Sequence, residues 1–217
     1  MKLLIISILL SIQIAKAQDA LQEPLFSIGP NLSLVAGVNG NAVPDGRKNG
    51  LSFSSMPDFG ISIFRKFGST DRLGMSLDIN YSSYPFLMTD MNGATPYNVR
   101  FNYLTFSPRF YWLYFSIGFE YGIPMAATYG PKIDKTILKN CFTPVIAASY
   151  PLMNDEIGVL TVFVRAGYML TGVYKNYTKD DNFKTIFPPS AWDSYTNDLN
   201  PTPVYASFGF SYMFHLY

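Results

Sequence analysis

Between residues 26 and 214 one pattern recurs eight times: about ten residues in which bulky apolar or aromatic side chains alternate with small polar ones. Successive side chains of a strand point to opposite faces, so a period of two marks a strand whose faces meet unlike surroundings. In the first segment Phe26, Ile28, Leu32, Leu34, Ala36 and Val38 oppose Ser27, Gly29, Asn31, Ser33 and Gly37. The second sets Phe59, Ile61 and Ile63 against Asp58, Gly60 and Ser62. The third sets Leu73, Met75, Leu77, Ile79 and Tyr81 against Gly74, Ser76, Asp78, Asn80 and Ser82. Leu104, Phe106, Pro108 and Phe110 oppose Tyr103, Thr105, Ser107 and Arg109 in the fourth. Phe115, Ile117, Phe119, Tyr121 and Ile123 oppose Ser116, Gly118, Glu120 and Gly122 in the fifth. The sixth, about 142–150, is mostly apolar on both faces and has no legible register. The seventh, 160–171, groups Thr161, Phe163, Arg165, Gly167 and Met169 on one face. The last, 204–214, groups Tyr205, Ser207, Gly209, Ser211 and Met213.

Roughly ten residues is what a tilted strand needs to cross a bilayer. The connections sort by parity. Segments 39–55, 85–99, 124–140 and 174–202 are long, and 66–72, 111–114 and 151–157 are short. Short turns on one rim and long loops on the other are the layout of an up-and-down barrel in an outer membrane, with both termini on the short-turn side. The expectation is an all-β fold, an eight-stranded antiparallel up-and-down transmembrane β-barrel. No run of 18 or more apolar residues offers a helical span.

The start reads as an export signal. Met1-Lys2 is followed by an apolar run from Leu3 to Ile12, and Ala15-Lys16-Ala17 supplies the small-x-small cleavage pattern. The expected organisation is a cleaved signal peptide over 1–17 and one domain over 18–217. Removing Lys2 and Lys16 leaves 14 basic residues against 15 acidic ones. Such a balance argues against nucleic-acid binding, which needs a basic face. One Cys and one His exclude a Cys/His zinc site and a disulfide framework.

Aromatic residues make up 17% of the chain and charged ones 14%, against roughly 25% charged in ordinary soluble domains. Aromatic residues crowd strand ends at Tyr81-Tyr84-Phe86, Phe110-Tyr111-Trp112-Tyr114-Phe115 and Tyr212-Phe214-Tyr217, as in interfacial girdles. A soluble exported barrel of the lipocalin kind would alternate too, with its apolar face turned inward around a ligand. The small polar face (Ser, Gly, Asn, Thr) suits a narrow lumen better, which favours the membrane reading.

Gly118-Phe119-Glu120-Tyr121-Gly122, Arg165-Ala166-Gly167-Tyr168, the Ala17-Gln18 junction and the close from Ser207 to Phe214 resemble the small outer-membrane β-barrel proteins of Bacteroidota, the PorT-like group. The resemblance is one of layout over most of the mature chain. It implies an eight-stranded barrel in the outer membrane. Some members of the group assist type IX secretion, and for many no task is assigned. His215-Leu216-Tyr217 after Phe214 departs from a simple terminal aromatic.

If the alternation holds, Asp58, Asp78, Arg109, Glu120 and Arg165 point into the lumen, where each needs a partner. They are expected to form a charge network that plugs the barrel, since eight strands leave no aqueous channel. A narrow proton or ion path is the sharper alternative. Catalysis is not expected: the one His, His215, adjoins no Ser in sequence, so the lipid-modifying membrane enzyme rests on the fold alone. Asp180-Asp181-Asn182 lacks the spacing of a calcium loop. No cofactor and no metal are expected. The loop 174–202 carries Tyr174, Tyr177, Phe183, Phe187, Trp192 and Tyr195, residue types enriched at interfaces. They are the candidate contacts of a structural or interaction protein, with outer-membrane lipid and a further envelope protein as expected partners. Anchoring at the lipid interface or packing over the barrel mouth is the competing reading of these rings.

Overall fold

A computed structural model describes residues 26–43, 47–67, 73–90, 96–129, 132–175 and 200–217. The expected signal peptide, residues 1–17, and most of the loop 174–202 lie outside these residues. The strands are β1 (Phe26–Asn39), β2 (Arg47–Gly50), β3 (Ser52–Phe53), β4 (Asp58–Lys66), β5 (Leu73–Asp90), β6 (Pro96–Trp112), β7 (Phe115–Tyr129), β8 (Lys132–Ile133), β9 (Cys141–Asn154), β10 (Gly158–Tyr168) and β11 (Pro203–Leu216). A single 3₁₀ turn, Lys135–Ile137, is the only helix among the described residues.

Eight long strands follow one another as antiparallel neighbours, β1, β4, β5, β6, β7, β9, β10 and β11. The ring closes where β11 returns to β1, in register from Phe26↔Leu216 to Asn39↔Pro203. Closure removes both sheet edges. The first and last strand ends therefore share one rim with Phe67 and Leu73, where β4 ends and β5 begins, and with the turns 113–114 and 155–157. β2, β3 and β8 decorate the other rim.

The faces sort as the alternation requires. In β1, Ser27, Asn31, Ser33 and Val35 are buried inside, and Phe26, Ile28, Leu32 and Leu34 are exposed outside. The sixth segment, illegible in sequence, takes its register from β7: Glu120↔Thr143 and Ile117↔Ile146 turn Cys141, Thr143, Val145 and Ala147 inward. Two register shifts fall beside prolines, where a ladder bond is missing: Asn102/Tyr103 opposite Pro124, and Leu160/Thr161 opposite Pro151.

One expected loop is mostly strand. Residues 85–99 read as a connection, yet β5 runs to Asp90 and β6 starts at Pro96. Pro85 misled the reading. It sits on the stretch of β5 between the part paired to β4 (through Tyr81) and the part paired to β2 (from Leu87), so its missing N–H forfeits nothing on that edge. There β1 approaches β5 directly, and a Cβ on Gly37 would lie 2.3 Å from the Pro85 carbonyl oxygen. The interior thus narrows above β4.

Candidate functional site

The interior has two zones. Its middle holds the five charges read from the alternation, all buried. Arg109 pairs with Asp78. Arg165 bridges Asp78 and Glu120 at 3.1 and 3.2 Å. Two phenols complete Glu120: Tyr84 donates to Oε2 at 2.9 Å and Tyr205 to Oε1 at 2.8 Å. Four strands, β5, β6, β7 and β10, supply this neutral set of two cations and two anions. Asp58 stands apart from it. Its Oδ1 accepts the Ser83 backbone N–H at 2.8 Å. Below and beside these charges the wall is amide and hydroxyl: Asn31 donates to Ser62 and to Asn80, both at 2.9 Å, and Ser82 meets Thr105 at 2.7 Å.

Above Glu120 the interior turns apolar. Tyr84 packs edge-on against Tyr103 and Tyr205, and Phe101 edge-on against Tyr174, while Phe86 lies tilted against Phe101. Met88, Val99, Leu138, Met169 and Val173 fill the rest of this cluster. Two connecting segments lie across the rim and close it. Lys139 N–H donates to Val173, Lys175 N–H donates to Ile137, and Leu138 bridges Tyr174. Asn200 fastens them: its Oδ1 accepts from the Val173 and Tyr174 N–H groups at 2.9 and 3.1 Å, and its Nδ2 donates to the Tyr174 carbonyl at 3.0 Å. On the outer side of this cover the Thr136 N–H donates to the Asp134 carboxylate at 2.9 Å, which holds its pKa below the usual carboxylate range.

Tyr174 is therefore no exposed contact. It is 3% exposed and packs over the mouth, the competing role weighed for these rings. Tyr177, Phe183, Phe187, Trp192 and Tyr195 lie outside the described residues. Met88, expected in the long connection 85–99, is buried in the plug.

Sequence reading missed one constellation. Ser27 and His215 are register partners on β1 and β11, with Oγ and Nδ1 3.1 Å apart, and Asn154 Oδ1 lies 3.1 Å from His215 Nε2. Nucleophile, base and orienting group are the residue types of acyl transfer. The surroundings fit a structural clasp better. Ser27 is buried, and β1 is paired on both edges there, to His215 and to Phe64.

The outer surface is the inverse of a soluble protein's. Leu32, Leu34, Ile61, Ile117, Ile146, Val164 and Phe208 are exposed on it, 48–64% each, and they give the ring an apolar outer face. Trp112, Tyr114, Phe115, Tyr150 and Tyr217 are exposed toward the rim with the chain ends. Monomeric soluble proteins rarely expose apolar patches beyond a few hundred Å².

No family model matches the chain, and no curated protein matches it. Among solved structures it is similar to the outer membrane protein OprG from Pseudomonas aeruginosa, with a TM-score of 0.40 and 13% identity over 90% of this chain and 98% of that one. At that score and identity the likeness carries no argument about this chain.

Proposed function

We propose that this chain is an outer-membrane β-barrel protein with eight membrane-spanning strands and a non-catalytic, structural or interaction role. One observation carries the reading: a closed ring whose charged and amide side chains point in and whose aliphatic and aromatic side chains point out. In hydrocarbon every backbone polar group must be satisfied within the chain, which a closed ring achieves. A lipocalin-like carrier needs the opposite sidedness. The plugged upper interior supports a wall or platform rather than an open pore. The contact surface in this reading is the rim opposite the chain ends, where β2, β3 and the 134–140 segment lie. Lipid covers the outer face, and a further envelope protein is the expected partner of the rim.

The test is fractionation of the native protein followed by gel migration with and without boiling. Recovery with the outer membrane and a heat-dependent shift in mobility are expected. A detergent-free soluble monomer would overturn the reading.

A further inference from the structure

The polar interior is not equally closed on all sides. Along β11, β1 and β4 its side chains climb in rungs from the rim with the chain ends: Ser27, then Ser62, then Asn31 opposite Ser211, then Ser33 opposite Asp58. Each of these keeps 4–7% of its surface accessible. Ser76, Arg109 and Ser116, near the same rim, keep 5–6%, whereas farther in Thr105, Ser107, Glu120 and Thr143 keep 0–1%. A crevice of accessible polar surface therefore enters from that rim and continues along β1 as far as Asp58. From Ser27 to Ser33 it spans about 20 Å of strand at 3.4 Å per residue. Val35 and Tyr84, both 1% exposed, stop it one rung above Asp58.

The charge count singles out the same residue. Asp78, Arg109, Arg165 and Glu120 neutralise one another, and Asp58 is left over. Among the described residues no Lys or Arg forms a salt bridge with it, and the hydrogen bonding it receives comes from neutral Ser83. Every charged or titratable group near it is engaged elsewhere. Arg165 serves Asp78 and Glu120, and the hydroxyls of Tyr84 and Tyr205 serve Glu120. A buried anion without a counter-charge is costly. At the head of the crevice the Ser207 hydroxyl, on the rung beside Val35, is buried without a partner, as is Asp78 Oδ1.

We propose that Asp58 takes up one unit of positive charge, a proton or a small monovalent cation, which enters along this crevice from the rim with the chain ends. The interior is then a blind polar well, charge-balanced only when occupied, beneath an apolar plug. The inference concerns the folded ring and does not rest on which membrane holds it.

Thermal unfolding of the full folded chain in detergent micelles tests it, comparing wild type with Asp58→Asn. Sodium, potassium and N-methylglucamine chlorides are exchanged at constant ionic strength, and pH is varied between about 6 and 9. If the charge is a proton, the wild-type midpoint falls as pH rises, whatever the salt. The folded form then holds a proton that the unfolded chain releases. If it is a cation, the midpoint at fixed pH is lower in N-methylglucamine than in sodium or potassium. Either dependence should be lost in Asp58→Asn, whose amide carries no charge. Equal responses of the two proteins would overturn the proposal. Should Asp58→Asn not fold, access decides. In a Cys141→Ala background in proteoliposomes, Ser33→Cys and Ser211→Cys should react with a small charged thiosulfonate, and Thr105→Cys should not. Protection of all three would overturn it as well.

Discussion

Tyr205 on β11 reaches Glu120 on β7 across the interior, its hydroxyl donating to Oε1 at 2.8 Å. That carboxylate also takes Arg165 from β10 and Tyr84 from β5, so one side chain ties four strands of the ring together. A buried ion pair adds little net stability over a well-packed apolar isostere, but losing one member strands the others.

Arg165→Leu removes the cation shared by Asp78 and Glu120 and should destabilise the fold by about 3–5 kcal/mol. Glu120→Gln keeps an acceptor for the phenols and should cost less. Urea unfolding in micelles, followed by tryptophan fluorescence, ranks the two. A smaller loss for Arg165→Leu would mean that the network contributes little.

Asn200→Ala removes three hydrogen bonds to the cover and leaves the Val173 and Tyr174 N–H groups, both on buried residues, without acceptors. The local cost should be about 1–3 kcal/mol per orphaned group. Amide exchange at residues 137–139 and 173–175 should quicken while the β5–β6 ladder stays protected. Unchanged exchange would show that the plug holds the cover without this clasp.

Leu32 faces outward near the middle of β1, and Phe26 faces outward at its end. Leu32→Arg should weaken folding into lipid vesicles by roughly 2–4 kcal/mol and Phe26→Arg by about 0–1, because the cost of a charge falls from midplane to interface. A soluble protein would tolerate both.

Leu113 begins the two-residue turn between β6 and β7 with φ of 56°, a left-handed conformation that is unfavourable for a leucine. Leu113→Gly should relieve about 1 kcal/mol of that strain. A raised unfolding midpoint is the expected result; a lowered one would mean that the exposed leucine earns its place by contact with the lipid interface.

Period-two alternation made the sidedness legible, and with it the five interior charges, because each strand touches a polar interior on one face and an apolar exterior on the other. Where both faces are apolar, as in residues 142–150, alternation carries no phase, and the register comes only from pairing with β7. The upward extension of β5 and β6 hid behind Pro85, whose tolerance depends on where β4 and β2 end, a fact of topology. Ser27 and His215 lie 188 residues apart, and only ring closure brings them together. Asn200 reads as one more polar loop residue until the segment it fastens is known. The separation of polar middle from apolar plug was also hidden, since Tyr84, Phe86 and Phe101 share the inward phase of the serines and differ from them only in height.

The central claim is that the outward face of this ring meets lipid and the inward face does not. Single nitroxide labels at each position from Phe115 to Ile123 on β7, in a Cys141→Ala background in vesicles, test it most directly. Collision with oxygen, which concentrates in hydrocarbon, should peak at residues 115, 117, 119, 121 and 123 and dip between them, while a water-soluble nickel chelate reaches none of the inner peak positions. Access of the chelate to residues 117, 119 and 121 would contradict the account.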